Sequence, residues 1–320
     1  MYRGKGDTTH RGVLVITGPT ATGKTALGVR VALGFGGEVV SADAMQVYRG
    51  MVIGTAAPTP AECKGVPHHL IGTADPRENY SVGRYVQEAS ACIDDILRRG
   101  KLPILVGGTN LYIDSLLRGI EFSDFDPALR AALEAEYDRL GGEGMLERLA
   151  HVDPERAARL HPRDKKRILR ALEVWETTGE TITAHDEATR RQPPRYASCR
   201  IALSFEHRED LYRRIDARVD GMLRAGLAEE VQSLLDSGIP AESTAMQAIG
   251  YKEIAAALRG EHTLEEAAEQ VKQSSRRYAK RQLSWLRRDP DLHWIIWKKT
   301  PKLEEAFSAS TRILEESGIL

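Results

Sequence analysis

Over residues 12–120, short apolar runs are separated by longer amphipathic stretches, a pattern that predicts strands joined by helices. The apolar runs that predict buried strands cover residues 12–17, 38–43 and 102–108. The amphipathic stretches between them predict helices, and glycines follow their ends. Because a helix joining two parallel strands covers a face of the sheet, the pattern predicts an α/β fold with a parallel sheet flanked by helices.

The pattern changes near residue 120, where strand-like runs stop and helical periodicity continues to the linker "RRQPPRYAS". Apolar runs at 199–205 and 292–297 then predict a strand that returns to the sheet and a late strand, with helices between them. We therefore expect a core that begins at 12–120, an all-helical insertion domain at 121–197, the return strand and basic helices that complete the core at 198–300, and a C-terminal helix at 301–320.

The composition narrows the class of protein. Hydrophobic residues make up 42% of the 320 residues and charged residues 28%, as in ordinary globular proteins, and the formal net charge is −1. No apolar run approaches the length that spans a bilayer, and the three separated cysteines have no zinc-binding or disulfide spacing. We expect a cytoplasmic protein that contacts no membrane, a monomer by default, whose nucleic-acid contacts would come from local basic patches.

The segment "GPTATGKT" follows the first predicted strand and precedes a predicted helix. It fits the P-loop pattern G-x-x-x-x-G-K-[ST] with the residues Gly18, Pro19, Thr20, Ala21, Thr22, Gly23, Lys24 and Thr25. In such a loop, backbone N–H groups and the next helix N-terminus hold phosphates, the lysine adds charge, and the threonine hydroxyl can ligate Mg²⁺. A glycine turn that binds no ligand is the alternative, and the flanking strand and helix favour the phosphate site.

Two polar residues follow the other predicted strands at the same edge of the sheet. Asp43 ends the second strand, and "GGTNLY" places Thr109 after the third. Asp43 could hold Mg²⁺ through water, act as a general base, or cap a turn. Thr109 could donate a hydrogen bond to a leaving oxygen, although an N-cap of the next helix is the more ordinary role. The two glycines before it would let the backbone approach a ligand closely.

Two stretches in the second half are strongly basic. "RDKKRILR" at 163–170 has five cations and one acid, and the segment 272–288 has seven cations and no acid. At helical spacing Arg276 and Lys280, and Arg277 and Arg281, form adjacent stripes. Most charged runs are merely solvated surface, but a helix this long without a carboxylate favours contact with a phosphodiester backbone.

Taken in order along the chain, several motifs resemble those of the tRNA dimethylallyltransferase family. They are "GPTATGKT", "SADAMQVYRGMVIGTA", "LVGGTNLY", "KRILRALEV", "LYRRIDARV", "QAIGYKE" and "RRYAKRQLSWLRR", and the likeness spans residues 12–298. The resemblance implies that the P-loop holds the diphosphate of dimethylallyl diphosphate, with Mg²⁺, rather than ATP. It also implies that the prenyl group moves to N6 of the adenosine 3′-adjacent to the anticodon, so that a tRNA anticodon stem-loop is the partner.

The resemblance also implies roles for individual residues. Asp43 matches the general base that contacts N6, and Thr109 matches the threonine that hydrogen-bonds the bridging oxygen. Lys24 and Arg218 match the cations on the diphosphate. With the basic helix included, the expected tRNA contacts are Asp43, Ala44, Met45, Gln46, Arg130, Lys166, Arg167, Ile168, Leu169, Arg170, Gln247, Gly250, Tyr251, Lys252, Arg276, Arg277, Lys280 and Arg281.

The chain departs from the usual family pattern at Val52 and Gly72, which replace acids, and at Ala57, which replaces a lysine. A P-loop kinase of a nucleoside or small metabolite is the alternative from another reaction class, but it leaves the basic helices and "QAIGYKE" without a role. An RNA-binding ATPase module is a third interpretation. An enzyme that prenylates free adenine nucleotides would share the P-loop core, but the long basic C-terminal half argues against it.

Overall fold

The computed structural model describes residues 12–120, 122 and 126–320, and it divides into two compact units. One unit contains the chain up to Leu117 together with Tyr196–Leu320, and the other contains Arg118–Arg195. Residue 121, where the sequence pattern placed the start of the insertion, lies outside the described residues. No described helix is both long and apolar enough to cross a membrane.

The first unit is built on a parallel sheet, which confirms the predicted α/β class. Over the described residues its strands are β1 (Gly12–Thr17), β2 (Glu38–Ala42), β3 (His68–His69), β4 (Pro103–Gly107), β5 (Ala197–Phe205) and β6 (His293–Trp297). Their order is β3-β2-β4-β1-β5-β6, and every neighbouring pair is parallel. The carboxyl ends of β1, β2 and β4 therefore lie at one edge of the sheet, where ligands bind in such folds.

The helices follow the predicted sequence pattern closely. They are α1 (Lys24–Phe35), α2 (Pro60–Cys63), α3 (Val82–Arg98), α4 (Asn110–Arg118), α5 (Pro127–Val152), α6 (Pro154–Ala157), α7 (Lys165–Thr178), α8 (Ile182–Arg191), α9 (Arg208–Arg224), α10 (Leu227–Asp236), α11 (Tyr251–Leu258), α12 (Leu264–Leu286) and α13 (Leu303–Ser317). The sequence pattern missed α2 and β3 inside a long Gly- and Pro-rich loop, because elements of four and two residues show no periodicity.

The core of the first unit explains why its strands read as unbroken apolar runs. Every residue of β1, β2 and β4 is buried, as expected for central strands of a parallel sheet. Side chains such as Ile16, Ile104 and Leu203 are fully buried in one cluster, and each contributes about 1.5–3 kcal/mol through burial. This rigid sheet fixes the positions of the loops at its carboxyl edge.

The second unit is all-helical over its described residues, as the sequence pattern predicted. Its apolar core includes Leu133, Met145, Leu149, Ile168 and Leu169, which come from α5 and α7. Helix α5 is interrupted at Gly141, whose φ of 70° lies in the left-handed region that glycine tolerates.

Candidate active site

The P-loop joins β1 to α1 at the carboxyl edge of the sheet. Gly18 has a φ of 141°, and a side chain there would collide with the backbone carbonyl of Leu203 in β5. Gly23 has a φ of 90° and ends the loop at the N-cap of α1. Both positions therefore require a glycine, which is why the P-loop pattern can be recognised in the sequence.

Side chains from distant elements hold the loop in this shape. Thr22 Oγ1 donates to the carbonyl of Pro19 at 2.8 Å, and Trp297 Nε1 of β6 donates to the carbonyl of Thr22 at 3.0 Å. Gln282 of α12 accepts from the N–H of Thr20 at 3.1 Å and donates to a carbonyl just after β4 at 2.8 Å. Sequence patterns assigned no role to Gln282, because only its burial distinguishes it from its solvated neighbours on α12.

Three cations converge on the P-loop. Lys24 Nζ donates to a loop carbonyl at 2.7 Å, Arg218 Nη1 of α9 to Thr20 Oγ1 at 3.1 Å, and Arg214 Nε to another loop carbonyl at 3.0 Å. Burial lowers the pKa of Lys24 to about 7; the charge of Arg218 lowers it further, and Asp43 opposes the change. Burial also lowers the pKa of Arg218, again opposed by Asp43. An anion bound beside Lys24 would raise its pKa and favour its charged form, so the site suits an anionic ligand.

A cavity of about 420 Å³ opens beside the loop, and we call it the P-loop pocket. Its lining includes loop residues 20–25 together with Asp43, Arg214 and Arg218. The structure thus brings together the predicted residues Lys24, Thr25, Asp43 and Arg218, and adds Arg214. Arg214 lies one helical turn before Arg218, a spacing that could have identified it from the sequence.

A second cavity of about 340 Å³ adjoins the first, and we call it the second pocket. Its wall contains Asp43, Ala44, Met45 and Thr109 at the sheet edge, the apolar residues Ile215, Val219, Met222 and Val271 of α9 and α12, and Ile249 just before α11. The two pockets share the lining residues Thr20, Asp43, Thr55, Arg218 and Tyr278. A ligand anchored on the P-loop and a molecule in the second pocket would therefore meet beside Asp43.

The carboxylate of Asp43 caps the turn after β2, and Asp43 also lines both pockets. Its Oδ1 accepts the N–H groups of Met45 at 2.9 Å and Gln46 at 3.3 Å, which fixes the turn after β2. Among the described residues, all hydrogen bonds to the carboxylate end on Oδ1, so Oδ2 remains available to a ligand. Although β4 lies between β1 and β2, Asp43 follows β2 at the carboxyl edge that carries the P-loop, where the sequence pattern placed it.

Thr109 lies directly before α4, and its side chain bonds to the turn after β2. Its Oγ1 accepts the N–H of Ala44 at 3.1 Å, which links the end of β4 to the turn after β2. An oxygen that accepts in this way keeps its own proton to donate. Burial, followed by the charge of Asp43, raises the pKa of Tyr278 to about 12, against the effect of its hydrogen bonds with Thr109 and Gln282.

The glycines before Thr109 are required by protein neighbours. A side chain at Gly107 would collide with the backbone of Ala42 in β2, and one at Gly108 would collide with the amide of Gln282. Both glycines also line the P-loop pocket, so the expected close approach to a ligand stays a prediction.

The loop at residues 52–55 is held by a carboxylate that sequence patterns missed. Glu230 of α10 accepts the N–H groups of Val52, Ile53 and Gly54 at 2.9, 2.8 and 3.1 Å. Its Oε1 also accepts from the hydroxyl of Tyr251 at 2.6 Å. Glu230 bonds to the backbone N–H of Val52, whose side chain is 49% exposed. Valine in place of the usual acid at this position therefore does not affect the anchor.

The anchored loop presents one carbonyl to both pockets. The carbonyl of Thr55 accepts from Gln46 Nε2 at 3.3 Å and from Arg218 Nη2 at 3.4 Å. Glu230 thereby acts on the orientation of Arg218 and Gln46 without touching either pocket. Tyr251, an expected tRNA contact, lines the second pocket, although its side chain is fully buried beside Gly54 and bonded to Glu230.

Other expected tRNA contacts of the first unit lie at the protein surface. Arg277, Lys280 and Arg281 are exposed on α12, and Arg281 also lines the second pocket. Arg276 is less available, because its Nη1 pairs with Asp216 at 2.5 Å. The segment before α11 contributes exposed Gln247 and backbone at Gly250 to the second pocket, while Lys252 is exposed on α11.

In the second unit, the predicted basic segment divides into exposed and buried residues. Lys166 and Arg167 are exposed at the start of α7. The side chains of Ile168 and Leu169 are fully buried in the apolar core, so the prediction that they contact tRNA is wrong for these two. Arg170 and Arg130 approach the same buried carboxylate, Oε2 of Glu173, at 3.3 and 3.6 Å.

Comparisons with known proteins identify relatives of this chain. The profile of the IPP transferase family matches residues 46–289, and the profile described as isopentenyl transferase matches residues 11–72. A protein of Desulforudis audaxviator called tRNA dimethylallyltransferase is 51% identical over 284 residues, 88% of this chain and 91% of that protein. A protein of the same name from Geobacter sulfurreducens is 49% identical with the same coverage, 88% and 91%.

Solved structures are also similar. The tRNA isopentenylpyrophosphate transferase of Bacillus halodurans has a TM-score of 0.71 at 40% identity, covering 96% of this chain and 98% of that one. A eukaryotic dimethylallyltransferase captured acting on tRNA has a TM-score of 0.81 at 30% identity, covering 96% of this chain and 80% of that one. Both likenesses therefore include the P-loop region and the basic C-terminal half.

Proposed function

This chain belongs to the IPP transferase family, and on that basis we propose that it transfers the dimethylallyl group of dimethylallyl diphosphate to tRNA. The acceptor is N6 of the adenosine 3′-adjacent to the anticodon, and diphosphate is released. The observation that carries this proposal is the pair of adjoining pockets that share Asp43, Thr55 and Arg218. A phosphate-binding pocket that opens onto a partly apolar one suits a donor with a charged end and a short hydrocarbon end.

On the donor side, the residues bind and neutralise the diphosphate. The P-loop N–H groups, Lys24, Arg214 and Arg218 surround the leaving group, and the hydroxyl of Thr109 donates a hydrogen bond to the bridging oxygen. When C1 of the prenyl group bonds to nitrogen, the C1–O bond breaks and its electron pair stays on diphosphate. Stabilising this charge is the largest contribution, because several donors act together and a single well-placed donor already contributes about 10²–10³-fold in rate at comparable sites.

On the acceptor side, Asp43 orients the amine and receives its proton. The lone pair of an adenine amine is delocalised into the ring, so the nitrogen becomes acidic only as its bond to C1 forms. Oδ2 of Asp43 accepts this proton while Oδ1 keeps the turn fixed. General-base assistance of this kind contributes about 10²–10⁴-fold. A base in an anticodon loop must leave its stack to reach the pocket.

The residues of the P-loop pocket fit a divalent cation of the kind prenyltransferases generally use. Hydroxyl oxygens of Thr25 and Ser41 line it, and a Mg²⁺ ion held by phosphates takes such oxygens as ligands. Among the described residues, no cluster of three His, Cys, Asp or Glu side chains could hold a metal by itself. We propose that Thr25 helps to hold Mg²⁺ on the diphosphate, where the ion would supply further charge neutralisation.

The proposed tRNA contacts are the exposed cations of both units, Arg277, Lys280 and Arg281 on α12 and Lys166 and Arg167 on α7. Arg130, Arg170, Gln247 and Lys252 supplement them. The kinase alternative is set aside, because the family profile extends to residue 289 through the basic helix that a small-molecule kinase would not need.

The experiment that tests the proposal uses labelled dimethylallyl diphosphate, Mg²⁺ and unmodified tRNA. We expect one labelled adenosine next to the anticodon, and no label on a tRNA carrying guanosine at that position. The Lys24→Ala variant is the matched control, because it removes the loop cation without changing the glycines that shape the loop. Transfer of the γ-phosphate of ATP to a small molecule, without labelling of tRNA, would contradict the proposal.

A further inference from the structure

One large aromatic side chain lies on the surface of the basic helix. Trp285 of α12 is 45% exposed, whereas Trp297 is buried against the P-loop. Burying an aromatic side chain gains more free energy than burying almost any other, so an exposed tryptophan on a structured helix is a candidate contact for a partner.

The indole of Trp285 is oriented even though it is exposed. Its Nε1 donates to Asp114 Oδ2 of α4 at 2.8 Å, and Asp114 also lies 3.8 Å from the guanidinium of Arg200. The polar edge of the ring therefore points to α4. Leu111, one turn before Asp114 on α4, is 51% exposed, so the apolar surface includes more than a single side chain.

The charge around Trp285 identifies the chemistry of its partner. Arg281 precedes it by one turn and Arg288 follows by three residues, both exposed, and Arg277 continues the same face. The helix has no carboxylate between Lys272 and Arg288. This face favours a polyanion that also offers flat apolar surfaces, and a single-stranded nucleic acid has both properties.

The stripe also leads to the second pocket. Arg281 lines that pocket, and four residues of helix place Trp285 about 6 Å farther along the axis. A nucleotide next to the one in the pocket would therefore be within reach of the indole.

We propose that Trp285 is a stacking platform for an unpaired RNA base adjacent to the nucleotide that enters the second pocket. The platform rests on the proposed function, because it takes RNA as the acceptor. Asp114 orients the ring, Arg281 and Arg288 contact the flanking phosphates, and the π-face of Trp285 receives a base without selecting its identity. The anticodon loop supplies unpaired bases of this kind.

The test measures binding of an anticodon stem-loop RNA to Trp285→Ala, Trp285→Phe and Arg281→Gln variants at several salt concentrations. Loss of stacking should weaken binding about 5- to 100-fold in Trp285→Ala, and Trp285→Phe should recover most of it. The dependence of affinity on salt should stay unchanged in Trp285→Ala, because no phosphate contact is lost. Arg281→Gln should instead reduce the salt slope by about one.

A matched control and a change in the RNA separate stacking from a structural effect. Leu264→Ala removes another exposed apolar side chain from α12, about 30 Å along the helix axis from Trp285, and should leave binding unchanged. Removing single loop bases should reveal one abasic position that weakens binding to the wild type but not to Trp285→Ala. Equal affinity of Trp285→Ala and wild type, or a loss that is the same for every abasic RNA, would overturn the platform. If the wild type neither binds nor prenylates tRNA, the proposed function itself fails. That result differs from the two results that overturn the platform, because in those the wild type still binds tRNA.

Discussion

Lys24 should take up a proton when the diphosphate binds. In the ligand-free protein, burial and the neighbouring Arg218 lower the pKa of Lys24 to about 7. A diphosphate beside the ammonium favours the charged form and raises that pKa again. Above pH 7, binding must therefore draw a proton from solution, and donor affinity must fall as the pH rises.

The size of the effect follows from the pKa. At pH 8.5 only about 3% of Lys24 is protonated in the free protein, so binding costs about 2 kcal/mol more than at low pH. Because half of the lysine is already neutral at pH 7, affinity should fall about 15-fold between pH 7.0 and 8.5. Proton uptake at pH 8 should be about 0.9 per site.

Titration calorimetry in two buffers of different ionisation enthalpy measures this uptake directly, with a non-reactive analogue of dimethylallyl diphosphate as ligand. Lys24→Arg is the matched variant, because it stays charged and should show no uptake. The contribution of Lys24 to the stability of the free protein should rise from pH 7 toward 10.5, since the unfolded chain binds more protons at this lysine in that window. A constant affinity between pH 7.0 and 8.5, with no proton uptake, would refute the electrostatic description of the P-loop pocket.

Three substitutions test the framework around the pockets. Glu230→Gln should raise the KM for donor and for tRNA, because the 52–55 loop no longer orients Arg218, and thermal stability should change little. Steady-state kinetics check this, and we expect Glu230→Asp to restore part of the affinity. Gln282→Ala should weaken donor binding about tenfold, because two buried backbone groups at Thr20 and the end of β4 lose their partner; a direct binding assay checks it. Glu38→Gln should lower the free energy of unfolding by about 2 kcal/mol without changing kcat, because Glu38 is buried against Arg99, Lys101 and His69. Since hydrogen bonding to Arg99 lowers the pKa of Glu38, its contribution is present at pH 7 and is lost as the pH falls below about 4.5; denaturant unfolding at both pH values measures the difference.

The parts of the fold that could be predicted are those that local chemistry determines. Unbroken apolar runs identified β1, β2 and β4, and amphipathic stretches followed by glycine identified helices such as α3. The P-loop could be recognised in the sequence because Gly18 and Gly23 adopt backbone conformations that other residues avoid. Lys24, Asp43 and Thr109 followed from their positions after strands that share one edge.

The residues that escaped prediction act through long-range contacts. Glu230 is 178 positions from Val52, and Gln282 is 262 positions from Thr20, so no periodicity connects them. A hydrogen-bonding glutamine on a basic helix looks like solvated surface until its burial is known. Ile168 and Leu169 do not share the exposure of their basic neighbours, because one face of a helix, which recurs every three to four residues, packs into the core.

The most direct test of the proposed reaction is the effect of Asp43→Asn on the chemical step. The amide oxygen can still accept the N–H groups of Met45 and Gln46, so the turn should survive, but the side chain can no longer take a proton from N6. With saturating tRNA, we expect the single-turnover rate to fall about 10²–10⁴-fold, while donor affinity with and without Mg²⁺ stays within about twofold of the wild type. A normal rate at saturation, with a large loss of Mg²⁺-dependent donor affinity, would contradict the role of Asp43 as general base and place it on the donor instead.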